Sequence, residues 1–162
     1  MNILRCIKVA MVASIALFFS VIALDNFFDF ESNWIFVKHV FSMDTTFHDP
    51  VLMSRAITNS VIQKYAYYFI MSWEALTAVL CWIGSVILLF NVNQSNLIFN
   101  QSKRIAFLGL FLGFLLYMIG FIIIGGEWFS MWQSSMWNGQ MKAGLFLSII
   151  MFVMIFLQCE IS

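Results

Sequence analysis

From residue 105 to residue 124 the chain reads IAFLGLFLGFLLYMIGFIII, without one charged side chain. As a helix, a run of that kind crosses about 30 Å of hydrocarbon, which takes roughly 20 residues. Three further runs share its character: residues 7–24, residues 65–90, where Glu74 is the break, and residues 143–159, short enough to begin in the interface. None alternates apolar with polar as barrel strands do, and backbone in lipid must satisfy its own hydrogen bonds. The expected fold is all-α: a polytopic four-transmembrane-helix bundle forming one domain over residues 1–162, with short interfacial helices on its outer face.

Composition agrees. Hydrophobic residues make up 62% of the chain and charged residues 10%, against about 45–50% and about 25% in soluble domains. Eight basic residues balance eight acidic ones, so no net field recruits nucleic acid, and the expected partner is the lipid bilayer. Arg5 and Lys8 ahead of an apolar run that ends Val21-Ile22-Ala23 also fit a secretory signal peptide. The run is read here as a retained first span, with Lys8 snorkelling from its end.

Basic residues near span ends set orientation. Arg5 and Lys8 flank the first span, and Lys103 and Arg104 lie in the Asn-rich connection between the second and third. Both ends belong in the cytoplasm, with both termini inside and the loops 25–64 and 125–142 outside. In the first of these loops SNWIFVKHVF (32–41) begins with a cap at Ser32 or Asn33 and sets Trp34, Val37 and Phe41 at helical spacing. After it, MDTTFHDPVLMSRAI (43–57) offers Asp49 as N-cap with Pro50, the chain's one proline, at the first helical position. Cys6 and Cys159 fall near the cytoplasmic ends and Cys81 in mid-span, so no disulfide is expected.

Small residues let helices approach where lipid supplies no hydrophobic drive. Ala13, Ala16, Ser20 and Ala23 make one such stripe, while Gly109 and Gly113 form a G-x-x-x-G that Gly120 continues. Packing within the chain is the expected use of the glycine face, ahead of homodimerisation. Glu74, Thr77, Cys81 and Ser85 share one face of the second span, which should point inward. Glu74 lies about 13 Å below Tyr65 at about 1.5 Å per residue, and a carboxylate at that depth must be paired, hydrated or protonated. It reads either as a proton- or ligand-binding group or as a structural one bonded to the outer cap through Trp indoles, Arg55 or Lys64.

The segment GGEWFSMWQSSMWNGQ (125–140) gathers three tryptophans, a glutamate and several amides between two spans. Trp128, Trp132 and Met136 are four apart, so an interfacial helix would bury them in the headgroups and turn Glu127, Gln133 and Asn138 elsewhere. Tryptophan at an interface is ordinary belt anchoring; Glu127 beside paired glycines and the run Trp137-Asn138-Gly139-Gln140 is not. Other chemistry finds little support. His39, His48, Asp44, Asp49 and Glu127 match no known metal spacing, and the serines lack any nucleophile motif.

An acidic loop with HVFSMDTTF, then SRAIT, WEALTAVLCWIG, FLGLFLGFLLYMIGF and GGEWFSMWQSSMWNGQ resembles the bacterial family of predicted small integral membrane proteins known as domain of unknown function twenty-one sixty-five, over nearly the whole chain. The resemblance implies a four-helix inner-membrane protein with no established activity, its motif positions falling on Met43 to Phe47, Glu74 and Gly125 to Gln140. The candidate polar network or ligand site comprises Glu74, Glu127, Trp128, Trp132, Gln133, Trp137, Asn138, Gln140, Arg55 and Asp44, with no catalytic group, metal or cofactor expected. The favoured expectation is a non-enzymatic structural or accessory subunit of a larger membrane assembly, whose protein partner would be another chain of that complex or a further copy of this one. The alternative is a small-ligand or ion transporter or sensor using a polar pocket around Glu74 beneath the Trp-rich cap.

Overall fold

A computed structural model describes residues 3–159. In chain order the elements are α1 (Ile3–Phe28), α2 (Phe30–Ser42), the single turn α3 (Pro50–Met53), α4 (Ser60–Phe90), α5 (Asn96–Ser102) and α6 (Arg104–Leu115). The last continues as a π-helix (Leu116–Trp128), followed by a 3-10 turn (Met131–Gln133) and α7 (Gln140–Gln158). Four helices are long and apolar enough to cross a membrane: α1, α4, the continuous stretch Asn96–Trp128, and α7. Each overlaps one expected span; all four start earlier than expected, and the first and third also run on past the expected end.

A cap explains the early start of α4. The Asn59 side chain accepts from the backbone N–H groups of Val61 at 2.9 Å and Ile62 at 3.4 Å, so α4 starts before its apolar run does. Its 31 residues reach about 46 Å at about 1.5 Å each, longer than the hydrocarbon layer. The excess stands in the cap, where Trp34 and Phe30 of α2 pack on Tyr67 at ring distances of 6.2 and 4.9 Å.

Other local expectations shift. Helix α2 opens at Phe30, not at Ser32 or Asn33, because the chain scarcely leaves the helical path: Asp29 N–H still bonds the Asp25 carbonyl at 2.8 Å. Asp49 does cap α3, accepting from Val51 at 2.8 Å and Leu52 at 3.2 Å. The helix it starts is a single turn. No interfacial helix carries Trp128, Trp132 and Met136: the π-helix stops at Trp128, Ser130 turns the chain at φ 52°, and residues 134–139 are irregular.

Buried Val12, Ala16 and Phe19 form the α1 seam at helical spacing, with the small-residue stripe along its edge, where Ser20 Oγ accepts from the Trp82 indole at 3.0 Å. The face of Glu74, Thr77, Cys81 and Ser85 is buried throughout. Helices α4 and α6 touch backbone to backbone: a methyl at Gly84 would lie 2.5 Å from Ala106 Cα, and one at Gly109 would lie 2.8 Å from Cys81 N. Gly109 thus packs within the chain against α4, and Gly113 against Phe19 and Ile150, while Gly120 has only Leu116 of its own helix near it. Leu17, Phe69, Val79 and Phe152 are among the many apolar side chains left on the outside, where lipid covers them.

At the end of the bundle opposite the cap, Lys8 does not snorkel but is buried, with Arg5 buried beside it. Arg5 donates to the carbonyls of Val92 at 2.9 Å and Gln94 at 2.6 Å and to the Asn96 side chain, and Lys8 donates to the carbonyls of Leu157 and Cys159. Arg5 thus ties down the turn that follows α4, and Lys8 satisfies carbonyls at the end of α7, where a helix dipole favours a cation.

Candidate functional site

Glu74 and Asn26 meet at the seam of α1 and α4, on the cap side of the bundle. Asn26 continues the buried face of α1 seven residues beyond Phe19, and Tyr67 precedes Glu74 by seven on α4, so helical periodicity brings all three together. Asn26 Nδ2 donates to Glu74 Oε2 at 2.6 Å, and the Tyr67 hydroxyl donates to Asn26 Oδ1 at 3.1 Å. The amide is thereby fixed as donor toward the carboxylate. Arg55 and Lys64, the expected partners of Glu74, lie elsewhere: Arg55 stacks on Trp128 at 4.9 Å and Lys64 sits 5.8 Å above Trp34. No described Trp indole reaches Glu74 either.

This triad lines a cavity of about 350 Å³ whose floor is taken as its buried residues, Glu74, Asn26, Tyr67 and Tyr117, and whose mouth as its more exposed ones, Trp137, Asn138, Gly139 and Lys142. Glu74 is 4% exposed. Its Oε1 accepts from no described residue, yet no buried polar side-chain atom lacks a partner, so that oxygen opens onto the cavity. One wall is a continuous run of rings: Phe146 to Tyr117 at 5.5 Å, Tyr117 to Phe121 at 5.6 Å, Phe121 to Phe36 at 6.5 Å and Phe36 to Trp137 at 6.2 Å. Volume, apolar walls and a few convergent polar groups match the usual anatomy of a small-molecule pocket, about 300–1,000 Å³.

The π-helix supplies part of that wall. Phe129 N–H reaches the Ile124 carbonyl, five residues back, at 2.9 Å, and Tyr117 and Phe121 of this segment line the cavity. π-helical turns are rare and concentrate at functional sites. At its far end Gly126 lets the Gln140 side chain close in, since a methyl there would sit 2.8 Å from Gln140 Nε2. Gln140 then donates to Glu127 Oε1 at 3.3 Å.

The remaining candidate residues build the lid. Thr45 donates to Ser134 Oγ at 2.8 Å, the Phe47 N–H donates to Gln133 Oε1 at 3.0 Å, and the Phe47 ring meets Trp132 edge-on at 6.0 Å. MDTTF and WQSSMW are therefore one docked unit, with Met43 fully buried at φ 52° beneath it. Asp44 pairs with His39 at 2.7 Å, and His39 stacks on Trp137 with centroids 4.5 Å apart and planes 10° off parallel. Asn138 Oδ1 accepts from the Gln140 N–H at 3.0 Å. Of the candidate residues, Glu74, Trp137 and Asn138 line the cavity itself. Among the described residues no three His, Cys, Asp or Glu side chains gather for a metal. The motif-based reading passed over Asn26, Tyr67, Tyr117 and Lys142, although the seven-residue spacings from Phe19 and Glu74 carried the signal for the first two.

A sequence profile described as a predicted small integral membrane protein, DUF2165, matches residues 4–160. The chain belongs to that family. Membership establishes an integral membrane protein, and the family's description stops there. Neither the search of curated proteins nor that of solved structures gave a match.

Proposed function

We propose that this family member is a non-enzymatic membrane protein that holds a small ligand in the cavity above Glu74, as a transporter or sensor. The observation that carries the reading is the Glu74 carboxylate, buried at the seam, with one oxygen bonded to Asn26 and the other open to a 350 Å³ aromatic-walled space. A purely structural acid would satisfy both oxygens within the protein, because an under-bonded carboxylate in a membrane is costly. The proposal puts the cap on the extracytoplasmic face of the inner membrane and both termini in the cytoplasm. Arg5, Lys8, Lys103 and Arg104 at the opposite end support that orientation.

Native mass spectrometry of protein extracted gently from its own membrane tests the reading. A small-molecule adduct should accompany the wild type and vanish from Ile22→Trp, which plugs the cavity from α1. An identical mass profile for the two folded proteins would sink it. A second reading, an accessory subunit, is supported by the exposed rim of Phe47, Trp132 and Met136 on the cap. A stoichiometric protein partner in the same spectrum, lost on changing that rim and indifferent to Ile22→Trp, would favour it.

A further inference from the structure

We infer that the ligand of the Glu74 cavity is a hydrophobic monovalent ammonium, its cationic group seated between the Glu74 carboxylate and the adjoining rings and its apolar body lying along the aromatic wall. This rests on the ligand-holding reading above and adds the chemistry of the ligand.

Three observations lead there. First, the floor offers a carboxylate oxygen and, among the described residues, no basic side chain is paired with it, so an incoming cation supplies the missing counter-charge. Burying a cation beside an anion removes a cost that a neutral or anionic ligand would leave or worsen. Second, the wall is a run of π faces from Phe146 through Tyr117 and Phe121 to Phe36 and Trp137. Aromatic enclosure is the established way to recognise organic ammonium groups, with the ring centroid within about 6 Å of the charge. Third, a divalent metal ion is poorly served, since it wants about six or more oxygen ligands and the carboxylate stands among rings, with the Asn26 oxygen already engaged by Tyr67. Lys142 at the mouth repels a second positive charge on the ligand, which restricts the site to single cations.

Glu74 accepts the hydrogen bond of the ammonium through Oε1 and keeps Asn26 on Oε2. The ring wall accounts for the apolar body: a cavity of this volume holds an aromatic or short alkyl group beyond the charged end.

The test uses the full-length protein in lipid nanodiscs and isothermal titration with three probes of one shape: 2-phenylethylammonium, neutral 2-phenylethanol and 3-phenylpropanoate. In the wild type the ammonium should bind about tenfold more tightly than the alcohol, equivalent to about 1.4 kcal/mol, and the propanoate more weakly still. In Glu74→Gln, shown to be folded by its thermal unfolding, the ammonium should lose that advantage over the alcohol. Should Glu74→Gln fail to fold, the wild-type ranking decides alone. Equal affinity for ammonium and alcohol overturns the charge assignment and leaves the ligand-holding reading intact. A preference for the propanoate overturns it in favour of Lys142 as the recognition group. Silence from all three overturns it as well, whereas the ligand-holding reading falls on the adduct experiment.

Discussion

Asn26 and Glu74 are held 2.6 Å apart across the α1–α4 seam, with the Tyr67 hydroxyl fixing the amide from behind. Removing the donor leaves a buried carboxylate oxygen without its partner. Asn26→Ala should therefore destabilise the protein by about 1–3 kcal/mol or somewhat more if the group is charged, read as a drop in unfolding midpoint in detergent. Glu74→Leu should cost a comparable amount by orphaning the Asn26 amide, and Glu74→Gln less. In the double variant Asn26→Ala/Glu74→Leu the losses should fall short of additive by about 0.5–3 kcal/mol, as for residues in direct contact. Strict additivity would mean that the two do not interact.

Two glycines should respond in opposite directions to the same methyl. Gly84→Ala drives Cβ to within 2.5 Å of Ala106 Cα, backbone that cannot step aside. It should force α4 and α6 apart at a cost of about 1–3 kcal/mol. Gly144, inside α7, has nothing within 4 Å of the same added atom, so Gly144→Ala should be neutral or stabilising by up to about 1 kcal/mol through helix propensity. Thermal unfolding of the two variants side by side is sufficient.

The lid depends on the docking of two loops far apart in sequence. With Thr45 Oγ1 2.8 Å from Ser134 Oγ, the pair Thr45→Cys/Ser134→Cys in a background lacking Cys6, Cys81 and Cys159 should oxidise readily, since a disulfide needs Cβ atoms about 3.5–4.5 Å apart. Non-reducing mass analysis reads the bond directly. A pair that stays reduced under mild oxidant would show that the loops do not dock as described.

Sidedness can be read in whole cells. Ser135 on the cap and Gln101 at the opposite end are both exposed. A membrane-impermeant thiol reagent added outside should label Ser135→Cys and spare Gln101→Cys until the membrane is opened. The reverse pattern would invert the proposed orientation.

The bundle itself was legible in the sequence because its signal is long. Runs such as residues 105–124 lack the alternation of barrel strands and so are helical in lipid, and the inward face of Glu74, Thr77, Cys81 and Ser85 followed from spacing alone. The G-x-x-x-G of Gly109 and Gly113 likewise fell where α6 meets its neighbours. What escaped was local and tertiary. The irregular backbone after Trp128 depends on Ser130 at positive φ and on contacts with Thr45 and Phe47, which lie more than eighty residues away in the chain, so a helical reading of Trp128, Trp132 and Met136 had nothing to oppose it. The π-helix was invisible for the same reason, because its residues are as apolar as those of any span. Asn26 was hidden by its neighbours: next to Asp25 and Asp29 it looks like loop, and its role appears only once α1 is known to run on to Phe28.

Glu74 faces an open cavity and not sealed protein or lipid. The most direct test of this is the rate at which a small charged methanethiosulfonate reagent modifies Glu74→Cys, compared with Thr77→Cys one turn further along the same face, in the cysteine-free background. Thr77 is fully buried and its hydroxyl is engaged by the Trp73 carbonyl at 2.8 Å, which makes it the sealed reference. Glu74→Cys should react at least about tenfold faster, in keeping with a water-reachable pocket, and Ile22→Trp should slow it. Equal and negligible rates at both positions would contradict the account.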